Sequence, residues 1–206
     1  MDKAILFDFD GTIANTIDAG VAAFNILARE HGFVEITSEN ADMLRGKSPR
    51  SAIKALAVPL LRVPLVLRTL RSGIHLAIPN LVPAEGMRPA ILALRERGYR
   101  LGIVTSNSKE NVRAFLANNH LEVFDFIQAG TGLFNKAAKI EKMISRAELK
   151  NNELFFVGDE IRDIEAAREN NMTSIGVTWG LNSREGLESA HPDFIVDTAE
   201  ELLGLF

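Results

Sequence analysis

The stretch ILFDFDGTIANT, from Ile5 to Thr16, decides the fold. Three apolar residues lead into Asp8 and Asp10, and Gly11-Thr12 follows at once. Ala4–Phe7 reads as a short buried strand that ends in two carboxylates. In extended backbone residues i and i+2 point to the same side. Asp8 and Asp10 therefore face one crevice while Phe9 turns back toward the core. Gly11 permits a tight turn, and Thr12 can hydrogen-bond the turn backbone. Buried carboxylates are costly unless paired, hydrogen-bonded or metal-bound, so the rest of the chain has to supply partners.

Outward from this stretch, short apolar runs alternate with helical patterns. Strands are expected at Tyr99–Val104, Asp125–Ala129, Leu154–Val157, Ser174–Val177 and Phe194–Val196. Helices are expected at Pro89–Arg97, stopped by Gly98, and around Val112/Phe115/Leu116, Ile140/Met143/Ile144/Ala147 and Ile164/Ala167/Arg168. Such alternation predicts an α/β protein with a Rossmann-like parallel sheet and helices on both faces. Between Thr16 and Pro83 the pattern changes to helix signals alone, divided by Pro59, Pro64 and Pro79. An all-helical cap inserted after the first strand is expected there. The predicted organisation is a core of residues 1–15 and 84–206 and a cap of residues 16–83. Parallel sheets bind ligands beyond the carboxyl ends of their strands, which puts the cap over the crevice.

A second acidic pair stands in FFVGDEIRDIEAAR, where Asp159 follows a strand directly and Asp163 lies one helical turn on. Two acidic pairs at two strand ends, with only oxygen donors, suit Mg²⁺; a single Asp there would read as a turn or cap residue. In GIVTSNS, Thr105, Ser106 and Asn107 present hydroxyl, amide and turn N–H groups suited to phosphate oxygens at a helix start. Lys136 opens another helix, where the helix dipole disfavours a cation; it makes sense facing bound phosphate, with Lys139 as its rival. The four histidines lack ligand-like spacing, and Trp179 reads as a packing residue.

Composition narrows the class. The chain has 206 residues, a formal net charge of −4 and no cysteine. That excludes disulfides and thiolate metal sites and gives no bias toward nucleic acid. MDKAILFDFDG is a poor signal peptide and no apolar run approaches membrane-spanning length, so a soluble cytoplasmic protein is expected. Charge is segregated, however. From Met43 to Ala84 stand Arg45, Lys47, Arg50, Lys54, Arg62, Arg68 and Arg71 with no acidic residue. The segment LAVPLLRVPLVLRTL reads as solvated faces, a homodimer face or an interfacial helix.

DFDGT, Thr105-Ser106-Asn107, Lys136 and GDEIRD stand in the order of the haloacid dehalogenase superfamily, which the chain resembles over its whole length. GYRLGIVTSNS, VGDEIRDIEAAR and VTWGLNS make it most similar to the phosphoglycolate-phosphatase-like branch. Asn15-Thr16 stands where members often carry Asp-Ser. The resemblance implies a Mg²⁺-dependent phosphatase for a small anionic phosphorylated metabolite. Asp8 would attack phosphorus and Asp10 would act as general acid, then base. Mg²⁺ would be held by Asp8, the Asp10 main-chain carbonyl, Asp159 and Asp163, with Glu160 a weaker candidate. Thr105 and Lys136 would neutralise the phosphoryl group. LRGKSPR resembles a substrate-contacting cap loop, which nominates Arg45, Lys47 and Arg50. A dehalogenase needs no proton donor at Asp10, because halide leaves unprotonated. A phosphomutase would keep all four motifs, and an idle binding module would be expected to lose an acidic position.

Overall fold

The computed structural model describes residues 3–130, 135–149 and 153–206. The strands are β1 (Lys3–Phe7), β2 (Arg100–Val104), β3 (Phe126–Gln128), β4 (Glu153–Gly158), β5 (Thr173–Val177) and β6 (Phe194–Val196). They form one sheet in the order β3-β2-β1-β4-β5-β6, every pairing parallel. β1 is central: Ile5 pairs with Leu101 on one side and with Phe155 on the other. Its apolar run is continuous because both faces are covered, and Ala4, Ile5, Leu6 and Phe7 are all buried. The chain winds outward through β2 and β3, then crosses back to β4. The order reverses between β1 and β4, so a crevice opens beyond their carboxyl ends.

The helices are α1 (Ile17–His31), α2 (Ser38–Arg45), α3 (Pro49–Ala55), α4 (Val63–Ala77), α5 (Met87–Glu96), α6 (Lys109–Asn118), α7 (Lys136–Arg146), α8 (Ile161–Glu169), α9 (Arg184–Glu188) and α10 (Ala199–Gly204). Every strand expected from sequence is present within one or two residues. α5 starts at Met87, two residues before the expected Pro89, and ends where Gly98 takes a left-handed φ of 86°. Ala147 lies just past α7 as its C-cap. The short helices α9 and α10 were not visible in the apolar spacing; Ser183 and Thr198 cap them through side-chain oxygens.

Between β1 and α5 stand α1 to α4 and two 3-10 turns, with no strand. The prolines punctuate as expected: Pro59 precedes the turn Leu60–Arg62, Pro64 sits in the first turn of α4, and Pro79 lies in the turn Ile78–Asn80. This segment has a core of its own, with Phe24, Ala28, Leu56, Val58 and Val63 buried together. Gly73 of α4 lies against α1, where a Cβ would collide with Ala23. Among the described residues no helix is long and apolar enough to cross a membrane.

Candidate active site

Two strand ends and one helix start bring the acidic residues together, and a second helix start brings their lysine. The Asp8 N–H extends the β1–β4 pairing by donating to the Val157 carbonyl at 2.8 Å. This fixes the Asp8 side chain beside the end of β4, from which Asp159 follows. Asp163, in the first turn of α8, accepts a bond from the Glu160 N–H at 3.1 Å. Lys136, at the first position of α7, lies 2.8 Å from Asp8 Oδ1 and 2.5 Å from Asp163 Oδ1. The lysine is 3% exposed. A cation at a helix N-terminus is thus explained by two buried carboxylates that outweigh the helix dipole. Lys136, rather than Lys139, is the partner among the described ion pairs.

Asp159 accepts from Thr12 Oγ1 at 2.6 Å and from the Leu181 N–H at 2.7 Å. The crowding sets requirements on the backbone. Gly11 has a left-handed φ of 81° and faces the Asp159 carboxylate. Gly180 approaches from the other side, where a Cβ would overlap Asp159 Cβ. Trp179 packs on the main core and donates from Nε1 to the Thr12 carbonyl at 3.1 Å, pinning the same turn.

One carboxylate oxygen each from Asp8, Asp159 and Asp163 lies within 4.8 Å of the others. Burial pushes the Asp8 carboxyl up to about 7, although Lys136 pulls it down. Burial, with Asp8 as a like charge nearby, raises Asp159 well above the usual carboxylate range. Burial pulls the Lys136 ammonium down, but Asp163 and Asp8 outweigh it and hold the group above its ordinary value. Three buried, mutually repelling carboxylates with one shared lysine form an oxygen-only donor set that fits a hard divalent cation such as Mg²⁺.

Asp10 points elsewhere in the same crevice. Asn107 Nδ2 donates to its Oδ1 at 2.9 Å, and Thr105 Oγ1 lies 3.3 Å from its Oδ2. Burial raises the Asp10 carboxyl, against the lowering pull of these bonds. Thr105 and Asn107 are themselves locked: Thr105 Oγ1 accepts from the Asn107 N–H at 2.9 Å, and Asn111 Nδ2 donates to Asn107 Oδ1 at 2.9 Å. The Ser106 carbonyl accepts from Arg71 Nε of α4 at 2.7 Å.

A cavity of about 350 Å³ runs from these strand ends into the helical segment. Asp10, Ser106, Asn107, Arg71 and Arg162 line one end, and side chains of α1, α3 and α4 line the rest. Arg45 and Lys47 also line it, whereas Arg50 is exposed and outside its lining. The backbone at Arg45 and Lys47 is clamped by Asn182, whose Nδ2 donates to the two carbonyls at 2.6 and 3.0 Å.

Residues 5–177 match the haloacid dehalogenase-like hydrolase family. The chain belongs to that family. It is 33% identical over 202 residues to a phosphoglycolate phosphatase of Synechococcus elongatus, covering 98% of this chain and 95% of that protein. It is 29% identical over 208 residues to the pyrophosphatase PpaX of Anoxybacillus flavithermus, covering 98% and 96% respectively. A haloacid dehalogenase-like family hydrolase from Streptococcus pneumoniae shares the fold, with a TM-score of 0.81 at 21% identity over 100% of this chain and 98% of that one. So does CbbY from Rhodobacter sphaeroides, with a TM-score of 0.76 at 22% identity over 98% and 96%.

Three residues of the site were not anticipated as such. From sequence Arg71 is only one of the seven cations of the basic segment, yet it shares the inward face of α4 with Val63, Leu67 and Ile74 at helical spacing, a signal present in the sequence. Arg162 lies inside GDEIRD, where it pairs with Glu160. Its Nε and Nη1 are buried and have no hydrogen-bond partner among the described residues. Asn182 lies inside VTWGLNS, but nothing local foretells that it fastens a loop some 135 residues earlier in the chain.

Proposed function

We propose that the chain is a Mg²⁺-dependent phosphatase that hydrolyses organic phosphate monoesters through an aspartyl-phosphate on Asp8. The observation that carries this reading is the pairing at the strand ends. Asp8 lies 2.8 Å from a buried lysine, and two residues on Asp10 is gripped by Asn107 and Thr105. One carboxylate is held close to positive charge, as a nucleophile for an anionic phosphoryl group must be. The other sits among neutral donors, with no cation in hydrogen-bond contact among the described residues, and burial there favours its protonated form, as a proton carrier needs.

Asp8 Oδ attacks phosphorus as the bond to the leaving oxygen breaks, and Asp10 gives that oxygen its proton. Asp10, now a carboxylate, takes a proton from water. The water oxygen bonds to phosphorus, the Asp8–phosphorus bond breaks, and inorganic phosphate leaves. Lys136, with Thr105, Ser106 and Asn107 of the β2 loop, meets the phosphoryl oxygens, where negative charge sits during transfer. Asp8, the Asp10 main-chain carbonyl, Asp159 and Asp163 would hold Mg²⁺, which when bound supplies further neutralisation of phosphoryl charge. Residues 16–83 act as a cap over a core of residues 1–15 and 84–206. Arg45 and Lys47, and more weakly Arg50, are the cap cations offered to an anionic substrate.

The test is phosphate release from a panel headed by 2-phosphoglycolate, pyrophosphate and para-nitrophenyl phosphate. Asp8→Asn is expected to abolish release from every substrate while the circular dichroism spectrum and cooperative unfolding are retained. Release within tenfold of wild type would exclude Asp8 as nucleophile. A hexose-phosphate product formed without free phosphate would assign a mutase instead.

A further inference from the structure

The cavity beyond the strand ends does not resemble a pocket for a small polar acid. Its walls are supplied by Val21 and Phe24 of α1, Ile53 of α3, and Val63, Leu67 and Leu70 of α4. Asp10, Asn107, Ser106 and Arg71 are joined by hydrogen bonds at one end, and Arg45 and Lys47 also reach the lining. The volume is more than twice that of an apolar cavity that accepts benzene, enough for a chain of roughly eight to ten carbons. Voids of that size are foreign to an ordinary close-packed helical core.

Asp10 belongs to this lining and, in the phosphatase reading, stands against the leaving oxygen. The organic part of a phosphate monoester bound at Asp8 therefore extends from Asp10 into the apolar part. We propose that the preferred substrate is an amphiphilic phosphate monoester, a phosphate on an aliphatic or aromatic tail of about eight carbons, with the tail seated among α1, α3 and α4. This deepens the phosphatase reading and rests on it. The arginines at the mouth fit the same division. Arg71 is held by the Ser106 carbonyl at 2.7 Å, and Arg162 has Nε and Nη1 unpartnered, so both meet the phosphoryl end with Asp10, and of the remaining lining only Arg45, Lys47 and Glu160 carry charge.

Gly20 offers a way to test it. It lies on the face of α1 shared by Ile17, Val21 and Phe24, it lines the cavity, and a Cβ there meets nothing within 4 Å. A leucine at this position improves helix propensity and enters the tail space.

The experiment measures kcat/KM for phosphate release by the Mg²⁺-loaded protein from methyl, butyl, hexyl and octyl phosphate, with 2-phosphoglycolate for comparison. Removing a methylene from water predicts a gain of about three- to fourfold per carbon, until the tail space is full. Gly20→Leu should flatten the upper part of this ladder and leave methyl phosphate within about twofold. In parallel, calorimetry on Asp8→Asn with Mg²⁺ compares octyl with methyl phosphate, and a gain of at least a hundredfold in affinity is expected. Turnover that is flat or falls with chain length overturns the tail site while leaving the phosphatase reading intact. Tail-dependent binding without turnover of any substrate by the wild type supports the tail site and overturns the phosphatase reading. Equal ladders in wild type and Gly20→Leu, with Gly20→Leu folded, overturn the placement of the tail.

Discussion

Replacing Lys136 with Met keeps the length and apolar stem of the side chain and deletes its charge. Two ion pairs go, at 2.8 Å to Asp8 and 2.5 Å to Asp163, with both carboxylates essentially buried. Removing one partner of a buried pair costs about 3–5 kcal/mol, because the remaining charge is left uncompensated. A carboxylate can escape part of that cost by taking a proton, so the loss depends on pH. Asp8 moves from an unfolded value of 3.8 to about 7 in the folded protein. The folded state therefore binds more protons than the unfolded state between these values, and stability falls as pH rises through the window. Without Lys136 the Asp8 carboxyl moves higher still, and the fall continues above pH 7. The metal-free variant should lose the full amount at pH 8 and visibly less at pH 6. For a chain of this size that is a Tm decrease of roughly 6–20 °C at pH 8. Scanning calorimetry on chelator-treated protein at the two pH values reads it directly. A Tm decrease that is the same at pH 6 and pH 8, or no decrease at all, would refute the reasoning that this lysine balances the carboxylates.

Asp159→Asn removes one of three clustered carboxylates and should raise the Mg²⁺ concentration for half-maximal phosphate release by tenfold or more; chelator should abolish wild-type release and Mg²⁺ restore it. Gly180→Ala forces Asp159 to shift and should reproduce that raised Mg²⁺ requirement, with a stability loss of about 1–3 kcal/mol from overpacking measurable by denaturant unfolding. Arg71→Gln should lower kcat/KM by about 1.5–3 kcal/mol, the range for a charge-assisted hydrogen bond, and an unchanged value would remove α4 from the phosphoryl site.

The fold was legible because its signals are local. Ala4–Phe7 and Leu154–Val157 are apolar throughout, as strands buried on both faces must be, and the acidic residues mark their ends. β3, with Phe126, Ile127 and Gln128 all half-buried at the sheet edge, still showed as a short apolar run. α9 and α10 left no such mark, since helices of five and six residues are held by a cap and a few contacts rather than by a repeating apolar face. Within the site, residue types at strand ends could be read, but their partners could not. The helix dipole and the family resemblance both point Lys136 at phosphate, but neither reveals its contact with Asp163, which joins positions 27 residues apart. Asn182 reaches across 135 residues to Lys47, and no spacing rule encodes such a contact. The basic segment 43–84 was read by its charge, whereas its geometry depends on helical phase. Arg71 shares the apolar face of α4 and turns inward, while Arg50 lies at the surface.

The same contrast explains how the site divides its work. Asp8, Asp159 and Asp163 bring three potential negative charges into a space that burial makes hostile to them, and Lys136 can balance only one. Glu160 adds to that burden on Asp8 and Asp159, although it is itself paired with Arg162. The remainder is what a divalent cation would balance in the proposed mechanism, and it also sets how the lysine acts. Lys136 touches Asp8 directly and pulls down the carboxyl that the proposed mechanism uses as nucleophile, whereas Asp159 has no lysine among its described partners and relies on Thr12 and the Leu181 N–H. Asp10 stands outside this charged cluster, bonded only to neutral donors, and can therefore exchange a proton without disturbing it. Two carboxylates that are two residues apart on one strand end thus acquire different chemistry from their neighbours. Those neighbours come from α7 and α8 for Asp8, and from the β2 loop for Asp10.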